Sequence, residues 1–110
     1  MLSVVLEFEV VDGQEALFKK YWLATTEAIY QHFGSLGSRL HKADNGKFIA
    51  YAQWPDRQTY EQSHLWPDKA KALRNKMNAT LVNQQARLVY KLEVDTDYLQ
   101  TDVYKPETSQ

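Results

Sequence analysis

"LGSRLHKADNGKFIAYAQW" (residues 36–54) carries the strongest local signal in the chain at its centre, Asp44-Asn45-Gly46. Asparagine and glycine tolerate the positive φ that tight turns need, so Asn-Gly between two alternating runs predicts a β-hairpin. Residues 36–43 and 47–54 are therefore expected as antiparallel neighbours. In the second run Phe48, Ala50, Ala52 and Trp54 share one face, and Ile49 and Tyr51 the other. If helices cover the first face, the two alanines leave room beneath them.

Upstream, "LSVVLEFEVV" (residues 2–11) alternates as well, with Val4, Leu6, Phe8 and Val10 on one side, and is predicted as the first strand. Asp12-Gly13-Gln14-Glu15 has the spacing of a capping residue followed by a glutamate. From Gln14 to about Phe33, Leu17, Phe18, Tyr21, Trp22, Thr25, Ala28, Ile29 and His32 recur at helical spacing, and Gly34 suits the left-handed stop. After Trp54, Asp56 is placed to cap a short helix to about Ser63. Pro67-Asp68 starts another, to about Leu81, with Ala70, Leu73, Met77 and Leu81 inward. "ARLVYKLEV" (residues 86–94) supplies a fourth strand.

The order β-α-β-β-α-α-β predicts an α+β, ferredoxin-like fold: a four-stranded antiparallel sheet with helices on one face. The uncovered face carries Val5, Ile49, Tyr51 and Val89, an apolar side that invites a second sheet, so a homodimer is expected. Residues 1–95 form the domain. Residues 96–110, with Tyr98, Leu99, Val103 and Tyr104 among polar neighbours, form a tail for which two readings stay open: a loose end or a segment lying across the partner.

Composition narrows the function. Its 110 residues suffice for one core, and 44% apolar with 25% charged residues is ordinary for a globular chain. Thirteen basic against fourteen acidic residues give a net charge of −1, which disfavours nucleic acid. An RNA-recognition module of the same strand order would also need a glycine-flanked aromatic pattern that the third strand lacks. Without cysteine there is no disulfide or thiolate chemistry, in keeping with a cytoplasmic setting. No apolar run approaches the roughly 18 residues of a membrane span. The 13% aromatic share implies that flat apolar surface is contacted somewhere.

Trp54, at the end of a strand, offers a flat ring and an indole N–H, and Tyr60 can reach back over the same space; the ordinary reading of both is core packing. Arg74 neighbours the buried stripe of the last helix, where an arginine usually snorkels outward. His41 is a candidate acid or base, because imidazole titrates near neutrality. His32, His41 and His64 show no metal-ligand spacing, so no metal is expected. Phe48, Ala50, Tyr21 and Trp22 are the expected walls of a substrate cleft.

The Y-A-Q-W step at residues 51–54, together with "DGQEALFKKYW" (12–22), "FGSLGSRLH" (33–41) and "NGKFIAYAQWPDRQTYEQ" (45–62), resembles the antibiotic biosynthesis monooxygenase (ABM) family over residues 2–94. That resemblance implies a dimeric α+β barrel that oxidises a small aromatic phenol, quinol or anthrone-like substrate with dioxygen and no cofactor. It also implies site roles for Trp54, Tyr60 and Arg74, with His41 matching a histidine on the second strand. Ala50 stands where the family's oxygenases carry an asparagine. The haem-degrading branch of the fold would require other residues at Leu6, Ser63 and Leu73. The alternative reading is a non-catalytic small-molecule-binding or interaction domain on the same barrel, which the loss of a polar group at Ala50 favours.

Overall fold

The structure, a computed structural model, describes residues 1–107. Its elements are β1 (Leu2–Phe8), α1 (Glu15–Phe33), β2 (Ser38–Lys42), β3 (Phe48–Trp54), α2 (Arg57–Glu61), α3 (Asp68–Asn78) and β4 (Arg87–Glu93). The strands form one antiparallel sheet in the order β2-β3-β1-β4. This is the ferredoxin-like α+β arrangement expected from the sequence.

The hairpin forms where Asn45-Gly46 stands, closed by Ala43 N–H to the Lys47 carbonyl at 2.8 Å. Residues 44–46 make the connection, with Gly46 at φ +86°. Gly34, at φ +76°, stops α1 as expected. Asp56 caps α2 by accepting from Thr59 N–H at 2.7 Å, and that bond holds its carboxyl below the usual carboxylate range.

The core has two clusters on the helix-covered face. In one, Phe18 of α1 sits between Phe8 of β1 and Phe48 of β3, with ring centroids 5.1 and 5.2 Å apart; Met77 and Leu81 complete it. In the other, Leu2, Val4 and Trp54 pack with Ile29, Phe33 and Tyr60. On the opposite face Glu7 receives Arg87 Nε at 3.1 Å and stands 3.6 Å from Lys47, and the arginine hydrogen bond holds its carboxyl below the usual range.

Several local expectations are corrected. Asp12 does not cap α1: Gln14 is the N-cap without a side-chain bond, and Gly13, at φ +87°, turns the chain before it. Leu17 and His32 are exposed, because the buried stripe centres on Phe18 and Thr25 and both lie off its axis. α3 ends at Asn78, and Leu81 is buried beyond it in a bridge with Val10, which lies past the end of β1. β4 carries a register shift opposite Val5 and Leu6. The extra residue inverts the alternation, so Tyr90 and Leu92, not Val89, stand opposite Val5 and Ser3 on the uncovered face.

Candidate functional site

A cavity of about 400 Å³ lies between the sheet and the helices, toward the Trp54 end of β3. Its floor is Val4 and Leu6 of β1 with Ala50 and Ala52 of β3, and the two small side chains there leave the volume open. α1 contributes Trp22, Thr26, Ile29 and Phe33, which recur at helical spacing on its inner side. Tyr60 and Glu61 of α2 and the connection through Ser63, His64 and Trp66 close the mouth.

The aromatic walls brace one another. Trp54, 5% exposed, meets the Tyr60 ring edge-on at 5.3 Å, and Lys91 Nζ lies 5.5 Å from the centroid of the Tyr60 ring. Phe33 meets Trp66 at 5.5 Å. Among the lining groups the titratable side chains are Tyr60, Glu61 and His64. His64 Nδ1 faces the Glu61 carbonyl at 3.3 Å. A carbonyl can only accept, so this contact is a hydrogen bond in the tautomer that carries the proton on Nδ1, in which Nε2 is the acceptor.

Of the residues expected at the site, the structure gathers Trp54, Tyr60, Ala50 and Trp22 around one space. Arg74 does not line it: its guanidinium stacks over Trp66, 4.2 Å from the ring centroid. Helical side chains lean toward the N-terminus, which carries Arg74 back to the residue that precedes α3. Phe48 and Tyr21 belong to the core cluster beside the cavity, Phe48 buried against Phe18 and Tyr21 packed at its edge under Lys20 and Lys76.

His41 is on the wrong side of the sheet. It pairs with Ile49, and with Arg39, Tyr51 and Leu99 it lines a separate groove of about 510 Å³ on the uncovered face. The connection through residues 44–46 sets Ala43 against Lys47 and hence His41 opposite Ile49, on the face away from the cavity.

Phe33, Trp66 and Ser38 were not singled out by the sequence, and His64 was considered there only as one of three histidines of the chain. Phe33 had a legible signal, since it lies one turn after Ile29 on the inner face. Trp66 and His64 sit in the connection between helices, where no periodicity assigns a side. Among the described residues no three His, Asp or Glu side chains cluster to hold a metal, and no helix is long and apolar enough to cross a membrane.

No family model matches the chain, and no curated protein matches it in sequence. Solved structures do match in fold. A protein from Caulobacter crescentus assigned as an antibiotic biosynthesis monooxygenase superposes with a TM-score of 0.70 at 18% identity, covering 86% of this chain and 90% of that one. A mutant of SnoaB, a cofactor-independent oxygenase from Streptomyces nogalater, gives 0.69 at 12% identity over 87% and 94%. A Deinococcus radiodurans protein of the same assignment gives 0.69 at 11% over 93% and 100%. The chain thus has the fold of the antibiotic biosynthesis monooxygenase structures, the family its third-strand motif resembles.

Proposed function

We propose that the protein is a cofactor-independent monooxygenase acting on a small aromatic phenol, quinol or anthrone-like substrate, working as a cytoplasmic homodimer. The observation that carries this reading is the cavity of about 400 Å³ walled by Trp22, Trp54, Tyr60 and Trp66. Its size lies in the range of small-molecule sites, and its flat walls suit a ring. The oxygenase among the structures of the same fold lends it weight.

The chemistry asks little of the protein. An anthrone methylene loses a proton, and the resulting electron-rich anion transfers electrons to dioxygen. One oxygen atom ends as the new ring carbonyl, and the other leaves as water with the two methylene hydrogens. The protein must exclude water, hold the ring and accept the first proton. Trp54 and Tyr60 orient the ring. His64, with Nε2 free to accept, takes the role first expected of His41. Arg74 acts through Trp66, whose indole it fixes, rather than on a substrate anion.

Oxygen-electrode measurements with a panel of hydroquinones and anthrones test this directly. Dioxygen is consumed by the wild type, and His64→Gln lowers kcat about a hundredfold, the ordinary scale of a general base. Arg74→Ala raises KM with a smaller change in kcat. Wild-type rates in the triple variant Trp54→Phe, Tyr60→Phe, His64→Gln would reject these assignments.

The second reading, a binding domain without turnover, is favoured by Ala50, since no amide or cation faces the ring there. Saturable binding of the same compounds without oxygen uptake would select it.

A further inference from the structure

The cavity runs between the two core clusters. At one end Trp22 and Ala50 pack with the phenylalanine cluster, and at the other Ile29, Phe33 and Tyr60 pack with Trp54. Along the axis of α1, Trp22 and Phe33 lie about 16 Å apart. A dry cavity of about 150 Å³ takes one benzene ring, so a volume of about 400 Å³ has room for more than one. On the sheet side the two ends meet at Ala52. It lies between Ala50 and Trp54 on the same face of β3, with Val4 and Ser38 as its cross-strand neighbours. Val4 and Ala50 keep only 2% and 1% of their surface, whereas Ala52 is half-buried and lines the cavity. Its methyl group stands on the helix-covered face with unfilled space above it.

We propose that Ala52 is the specificity-determining residue of the cavity: its single methyl keeps the two ends continuous, so the guest selected is a fused aromatic of two or more rings in preference to a single ring. One ring lies against Trp54 and Tyr60, and the next passes over Ala52 toward Trp22. A longer side chain at this position fills the junction and leaves space for one ring at the Trp54 end. Carbon-lined pockets discriminate by size, since one methylene more or less in them is worth about 10–200-fold. The assignment rests on the reading that the cavity takes an aromatic guest. It narrows that reading to the fused-ring class and names the residue that imposes it.

The test is equilibrium dialysis of 1-naphthol and phenol, which differ by one fused ring, against the wild type, Ala52→Val and Ala52→Leu. The wild type holds 1-naphthol more tightly than phenol by about tenfold or more, the increment of burying the second ring. Ala52→Leu weakens 1-naphthol about tenfold and phenol less than about twofold, and Ala52→Val falls between. The thermal midpoint of neither unliganded variant falls, because the added carbon enters the cavity rather than the packed core. A midpoint lowered by several degrees in both variants would mean that residue 52 meets packed atoms, and an unchanged ratio of the two affinities would mean that the second ring lies elsewhere. Either result overturns the role of Ala52 and leaves the aromatic site standing. Failure of the wild type to bind either probe overturns both.

Discussion

Phe18→Ala lowers the midpoint of thermal unfolding by roughly 15–30 °C, the largest effect expected of any single substitution in this chain. Phe18 has no solvent exposure, and it touches a phenylalanine on each side, Phe8 at 5.1 Å and Phe48 at 5.2 Å. Truncating a buried phenylalanine costs about 3–5 kcal/mol, part of it transfer energy and part the cavity left behind. For a domain of this size each kcal/mol moves the midpoint by about 4–8 °C. The void cannot close easily, because Phe8 and Phe48 are fixed by the β1–β3 ladder, in which they are paired. Calorimetry at one fixed protein concentration measures it, since assembly alone shifts a midpoint. A fall of only a few degrees would mean that the stack is not the centre of the core.

Deleting residues 96–110 is expected to convert the proposed homodimer to a monomer. In the described chain Tyr98, Leu99, Val103 and Tyr104 are each more than 80% exposed, a cost no isolated domain needs to bear. The Cα radius of gyration is 16.8 Å, whereas a compact domain of this length has about 13 Å, so the tail reaches beyond the fold. Leu99 borders the groove on the uncovered sheet face, beside Arg39, His41 and Tyr51. That face also presents Tyr90 and Leu92 to solvent. Covering such side chains is worth about 1.5–3 kcal/mol each, so losing four of them weakens association by several orders of magnitude. Light scattering on the two chains reads it: twice the chain mass for the full sequence, once for the deletion. A full-length monomer at micromolar concentration would refute the dimer; a deletion that still dimerises would assign the contact to the sheet face alone.

The parts of the site that were legible are those whose geometry is set within a few residues. Trp54 and Tyr60 meet because a strand end, a Pro-Asp turn and one capped helical turn join them, and Asp56 bonding Thr59 N–H is a local event. Ala50 and Ala52 announced a space by being small on the face that the helices had to cover. Trp22 was placed by helical period alone. Arg74 was read correctly as neighbouring the buried stripe, yet which aromatic it would meet depended on where the segment before α3 docks against Phe33.

By itself, then, the sequence determined the ferredoxin-like order of elements, the hairpin, the Gly34 stop of α1 and the aromatic pair at the cavity, since turn chemistry and period are short-range properties. Tertiary structure alone decided which residues β4 presents on each face of the sheet. One extra residue in β4 brought Tyr90 and Leu92 to the uncovered face. A period of two amplifies a single-residue shift into a change of face, and register is fixed by the partner strand, not by the strand's own residues.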